Sequence, residues 1–222
     1  MIYCFLGPEV DQRKTANAIR EIVETQLPEA TKYWGGAPFV STWFYDTTQA
    51  DMDRLTPYSV IAIVLLLLVT FRDLRGTLLA LVSTAMGIAV AHGLMALLGV
   101  EYNIVLSSMP IILFAVGSAY AIHILSHYYA HEPQLGRDEA IRRTLIGIGP
   151  TVIAAGLTTV AGLLSFVAMD IIPMRNFGLF TAVGIFATLV LSVTFVPAVL
   201  RLTGPKRKGG EMTGTGLMVR LA

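Results

Sequence analysis

Charge is scarce in this sequence. Asp, Glu, Lys and Arg make up 14% of its 222 residues, against about 25% in an ordinary soluble domain. Much of the chain therefore needs no charge to stay solvated. Cysteine is nearly absent: the single Cys4 excludes an internal disulfide framework and any cysteine-based metal cluster. No sign of charge dominates either. The formal net charge is +1, which argues against a nucleic-acid partner. Also missing are a nucleophile, base and orienter in one place, metal-ligand spacing and a phosphate loop, so the sequence does not read as an enzyme and implies no cofactor or metal.

What the sequence has in quantity is apolar length. Hydrophobic residues make up 55% of the chain, and they are unevenly placed. Acids and bases are frequent over residues 1–54 and rare afterwards. Crossing the hydrocarbon core takes about 20 apolar residues. Five stretches qualify: 55–71, 77–98, 104–126, 145–168 and 173–200. None contains Asp, Glu or Lys. The first is short, so Pro57, Tyr58 and Ser59 are expected at one interface. Arg175, in the first turn of the last stretch, can extend to the interface. These features predict an all-α transmembrane bundle of five spans.

The loops alternate in charge. Arg72 and Arg75 separate the first two spans, Arg137, Arg142 and Arg143 separate the third and fourth, and Arg201, Lys206, Arg207 and Lys208 follow the fifth. The opposite loops hold Glu101, Asp170 and only Arg175. Basic loops stay in the cytoplasm, so the C-terminus is expected inside and the N-terminal segment outside, in a multi-pass cell (inner) membrane protein.

The outer segment reads as part of an α/β unit. The apolar run from Ile2 to Leu6 suits a strand. Residues 11–27 show helical spacing through Ala18, Ile19, Ile22 and Val23, with Pro28 ending the helix. Lys32, Tyr33 and Trp34 suit a second strand closed by Gly35 and Gly36. Pro38 suits the first turn of a helix running through Phe39, Trp43 and Leu55 toward the first span. Two strands and two helices make too little sheet to stand alone, which points to Met1 as a cut point. Residues 214–222 read as an amphipathic helix. The expected division is 1–54, the C-terminal part of an extracytoplasmic domain; 55–202, the transmembrane domain; and 203–222, a cytoplasmic linker.

Small residues recur every four along the spans: Ala85, Ala89 and Gly93; Ala115 with Ala119; Gly117 with Ala121; Ala154 with Thr158; Ala161 with Ser165. Without a hydrophobic drive between helices in lipid, such stripes suit close packing. A substrate path lined by Gly and Thr is the alternative.

The stretch from Pro110 to Tyr129, through Gly117, Ser118, Ala119, Tyr120 and His123, resembles the fourth transmembrane helix of RND-superfamily exporters. It is most similar to the MMPL and hydrophobe-exporter branch, whose core is similar to the sterol-sensing domain. Phe71-Arg72-Asp73-Leu74-Arg75-Gly76 resembles that family's turn between helices two and three. Gly149-Pro150-Thr151 with Thr158-Thr159 resembles the start of helix five. Met174-Arg175-Asn176-Phe177-Gly178 resembles the start of helix six, and Val196-Pro197-Ala198 its end. The resemblance implies an α/β porter segment before helix two, helices two to six of one half, and a second half of the same transporter as partner, with a homo-oligomer expected. It implies membrane lipids and a hydrophobic substrate as ligands, and proton-driven export as the activity. A lipid-sensing or scaffolding module without transport is the alternative.

In the family pattern helix four carries a proton-binding Asp where Ala119 stands here, and no span holds a carboxylate to replace it. His123 is four residues on, on nearly the same face and about 6 Å along the helix. Imidazole, with a reference pKa of about 6.5, can carry protons near neutral pH. Tyr120 and Ser118 would extend a hydrogen-bonded path from it. The competing role for His123 is a structural hydrogen bond to a neighbouring helix. His92 is the other ionisable group within a span, at a different depth. His127 and His131 are expected in solvent.

Overall fold

The computed structural model describes residues 11–71, 73–100 and 102–203. The expected strand Ile2–Leu6, the basic residues 206–208 and the amphipathic stretch 214–222 lie outside them. The described residues form seven α-helices and two short 3₁₀ turns.

Helix α1 (Gln12–Gln26) is polar and surface-bound. Asp11 caps it by accepting the Arg13 and Lys14 amide N–H groups, both at 3.1 Å. These bonds favour the ionised carboxylate and hold Asp11 below the usual range. Ala16 is buried. Arg13 donates to Asp46 of the next helix at 2.8 Å and lies 3.8 Å from the centre of the Tyr45 ring, fixing α1 against α2.

Helix α2 (Ala37–Phe71) is one continuous rod of 35 residues. At 1.5 Å per residue it is about 52 Å long, far more than the roughly 30 Å hydrocarbon core. The helix begun near Pro38 and the first span are thus the same element, and Pro57 lies inside it. The extended run Lys32 to Trp34 is a correction: no strand forms among the described residues. An extended segment needs a neighbour to ladder with; this one lies at the α1–α2 junction, with Trp34 packed 5.0 Å from Phe39 ring to ring.

The remaining helices are α3 (Leu74–Leu97), α4 (Met109–Leu135), α5 (Arg137–Gly147), α6 (Gly149–Leu164) and α7 (Ile172–Thr203). Five helical stretches, those of α2, α3, α4, α6 and α7, are long and apolar enough to cross a membrane. Helices α3, α4 and α7 form the centre, α6 packs on α7, and α2 lies at the periphery. Leu113, Ile124, Leu125, Phe180, Ile185 and Val196 are among the fully buried side chains.

Helix α4 continues nine residues past the expected end at Ser126. It stops at Gly136, whose φ of 75° suits only glycine with ease. Helix α5 then turns across the end of the bundle, and was not separated from its neighbours in the sequence. Arg137 donates to the Arg201 carbonyl at 3.2 Å, and Arg201 pairs with Asp138 at 3.3 Å. Arg137, Arg142, Arg143 and Arg201 therefore gather at one end of the bundle. The Asp73 turn joins them there through Tyr129. At the opposite end Ser107 donates to Gln49 at 3.4 Å.

Candidate functional site

Helix α4 divides its surface sharply. On a wheel of 3.6 residues per turn, Ala115, Ala119, His123, Ser126 and Ala130 fall within roughly 80° of arc, with Ala119 near its middle. All but the half-buried Ala119 are exposed. The inward side of the helix is buried through Leu113, Gly117, Ser118, Tyr120, Ala121, Ile124 and Leu125, with half-buried residues such as Phe114, Val116 and Ile122 between the two. His123 thus points out of the bundle and has no hydrogen-bond partner among the described residues. The Ala119 methyl stands one turn before it on the same arc.

Ser118 and Tyr120 lie on either side of this arc and do not join it. Ser118 is buried and donates to the Ala115 carbonyl of its own helix at 3.1 Å. Tyr120 is turned toward Thr159 of α6, whose hydroxyl donates instead to the Ala155 carbonyl at 3.0 Å. Among the described residues no hydrogen bond of good geometry reaches the Tyr120 hydroxyl, which is buried. His123, Tyr120 and Ser118 are near in sequence but leave the helix in three directions.

His92 on α3 is half-buried, its Nδ1 3.0 Å from the Ile88 carbonyl and its ring 6.3 Å from Tyr102 in the following loop. That contact puts it at the end opposite the arginines. His127 and His131 are half-buried rather than solvated. Their rings stack at 4.3 Å, and His127 Nδ1 lies 3.1 Å from Thr144 Oγ1 of α5. His127 joins α4 to α5, and His131 stacks on it from the same helix. Among the described residues no three His, Cys, Asp or Glu side chains gather as a metal site would require.

The bundle's centre holds polar residues the sequence reading did not single out. Thr181, Thr188 and Ser192 of α7 are fully buried, as are Ser83 and Thr84 of α3. Thr188 packs against Gly87 of α3 and Gly117 of α4. Thr84 and Thr188 satisfy their hydroxyls on their own helices, at Ala80 and Gly184, each at 2.9 Å. Thr181 and Ser192 have no such partner among the described residues. Hydroxyls spaced seven and four residues apart along one span were the available signal.

Asp73 explains the turn motif. It accepts the N–H groups of Arg75 and Gly76, each at 3.3 Å, capping α3, and its Oδ2 accepts the Tyr129 hydroxyl of α4 at 2.9 Å. A Cβ on Gly76 would collide with the same hydroxyl.

The sequence pattern of the MMPL family matches residues 7–215. The chain is 25% identical over 197 residues to a protein of Methanocaldococcus jannaschii named as a membrane protein, covering 86% of this chain and 50% of that one. It is 26% identical over 202 residues to the sulfolipid-1 exporter MmpL8 of Mycobacterium tuberculosis, covering 87% of this chain and 18% of the exporter. It is 26% identical over 209 residues to the membrane protein YdfJ of Bacillus subtilis, covering 89% and 28%. The chain spans half or less of the length of each.

Proposed function

The chain belongs to the MMPL family, and from that premise we propose that this multi-pass membrane protein supplies one half of an RND-type exporter, moving lipids or other hydrophobic molecules outward on the proton gradient. Residues 1–54 are then the end of an extracytoplasmic porter domain, 55–202 the transmembrane half-bundle, and 203–222 a cytoplasmic linker. The gathering of arginines at one end of the bundle supports a cytoplasmic placement of that end in the inner membrane. The name of one relative supplies the class of cargo, lipid.

The observation that carries this reading is the exposed arc of α4. An imidazole directed out of the bundle into hydrocarbon is costly unless something polar meets it. A second half, docked on Ala115, Ala119 and Ser126, would meet it there. The small side chains allow close approach, and His123 would then take and release the proton between the halves. Tyr120 and Ser118, turned away from His123, would serve the packing of the half-bundle. A lipid-sensing or scaffolding role is the second reading, favoured by Ala119 in place of the family's Asp.

The test is export per membrane-inserted molecule of the full-length transporter at several pH values. His123→Ala and His123→Asn are both expected to insert normally and to lose gradient-driven export. Asn keeps a polar group but does not titrate. Wild-type export by His123→Asn with an unchanged pH profile would remove His123 from the proton path.

A further inference from the structure

The end of the bundle crossed by α5 carries two histidines outside the proposed proton path. His127 and His131 lie one turn apart on α4, and their rings stack at 4.3 Å. His131 donates through Nδ1 to the His127 carbonyl at 2.8 Å. His127 Nδ1 lies 3.1 Å from Oγ1 of the buried Thr144 on α5. Another edge of that ring faces the α5 backbone, where a Cβ on Gly147 would stand 3.3 Å from Cε1 and Nε2. We propose that this pair is a pH-sensitive latch, which holds α5 across the bundle while at most one ring is charged and releases it when both are.

A hydroxyl serves either state of one ring. Thr144 donates to a bare Nδ1 and accepts from a protonated one, so a single proton leaves the contact in place. A second proton sets two like charges face to face in half-buried rings. The acids packed nearby do not offset it. On α5, Asp138 pairs with Arg201 of α7, and Glu139 with Arg142 and Arg143, while Arg137 donates to the Arg201 carbonyl. Glu132 of α4 shares a helix face with Tyr128 and lies about 100° round from His131. The first turn of α6 carries no charge. The seat of α5 is also imperfect. Beneath it, Ile141 and Thr144 of α5, Ile124 and Tyr128 of α4, and Pro197 and Leu200 of α7 line a gap too small for water. The buried Tyr128 hydroxyl has no hydrogen-bond partner among the described residues, so it gains one from water when α5 lifts. The Asp138–Arg201 pair is exposed and holds α5 only weakly. Docking thus favours the state with fewer protons. It is complete at high pH and lost as pH falls through the histidine range.

The regulatory use of the latch rests on the proposed orientation and activity, which put α5 in the cytoplasm, where inward-moving protons arrive. There it would sense the acid that export itself brings in. The position of α5 can be read without export. Spin labels replace Leu74 of α3 and Ile146 of α5, both exposed, in a Cys4→Ser background. Distances between them are measured for the chain in nanodiscs, from about pH 8 down to about pH 5, the span in which histidine titrates. One distance is expected at the alkaline end. A second should grow on acidification, the ratio of released to docked α5 rising about tenfold per pH unit for one extra proton bound. His131→Phe keeps a stacked ring that takes no proton, and should hold the alkaline distance throughout. A wild-type distance that does not change with pH would overturn the latch. So would an equal acid response in His131→Phe, or a response confined to the carboxylate range below about pH 5. Release of α5 in a full-length protein that does not export would leave the latch standing and remove the transport reading; export with α5 fixed at every pH would do the reverse.

Discussion

Two faces of this bundle are built from the same small residues and have opposite surroundings. Between α3, α4 and α7, Gly87 and Gly117 receive Thr188, and Gly184 receives Leu113 and Ala91. On the outer arc of α4 and along α6, Ala115, Ala154, Thr158, Ala161 and Ser165 are exposed, and a Cβ on Gly162 would meet nothing within 4 Å. Ala85, Ala89 and Gly93 on α3 are exposed as well. A small residue only permits close approach. Whether approach occurs depends on a knob from another helix, and the residue itself carries no information about which chain or half supplies that knob.

The strongest way to break this distinction is to fill one position on each face. A side chain at Gly87 would strike the Thr188 side chain and come within 3.1 Å of the Thr188 backbone nitrogen, which cannot rotate away. Overpacking of this kind costs about 1–3 kcal/mol. Gly93→Ala has open space and should be neutral, or stabilising by up to about 1 kcal/mol through helix propensity. Unfolding of the two variants in mixed detergent measures both. If Gly87→Ala resists unfolding as well as Gly93→Ala, the covered seam is not packed as described.

A smaller effect is expected at the end of the covered seam, where polar contacts replace packing. Asp73 both caps α3 and receives the Tyr129 hydroxyl. Asp73→Ala should lose about 1–2 kcal/mol, from the cap and the interhelical bond together. Tyr129→Phe should lose less, because the cap stays. If the two variants unfold at the same detergent fraction, the cap contributes nothing measurable here.

These contrasts explain which parts of the molecule were legible in the sequence. Apolar length and the absence of charge located all five spans, because hydrocarbon imposes those requirements on each helix separately. The run of α2 from Pro38 into the first span was legible too; Asp46, Asp51, Asp53 and Arg54 are tolerated within it because that half of the rod lies outside the apolar stretch. The turn at Gly136 that separates α5 was hidden because polar residues lie on both sides of it. The strand at Lys32 was expected from composition alone, while strands are decided by neighbours. For the same reason the stripe of Gly117 and Ala121 is buried while that of Ala85, Ala89 and Gly93 is not: spacing fixes a face, not its partner. His123 was visible as an intramembrane imidazole. Its direction, out of the bundle and away from Ser118 and Tyr120, depends on where α6 and α7 pack.

The smallest effect belongs to α5, which lies across the arginine-rich end and is bound to neither face by packing alone. Glu139 accepts from Arg142 at 2.8 Å through two nitrogens and pairs with Arg143 at 3.4 Å. The Arg142 guanidinium, through its hydrogen bonds first, holds the Glu139 carboxyl below the usual range. A depressed carboxyl pKa stabilises the fold above the unfolded value, and that contribution is lost as pH falls through the folded one. Stability should therefore be flat in this respect from neutral pH down to the ordinary carboxylate range, and decline only in stronger acid. Both partners are solvent-exposed, so salt should shrink the effect. Carbon NMR of the Glu139 carboxyl in the labelled chain gives the direct reading. Its midpoint should rise in Arg142→Gln and move upward with added salt in the wild type. An Arg142→Gln midpoint equal to the wild-type value at low salt would mean that the ion pair on α5 is not formed in solution.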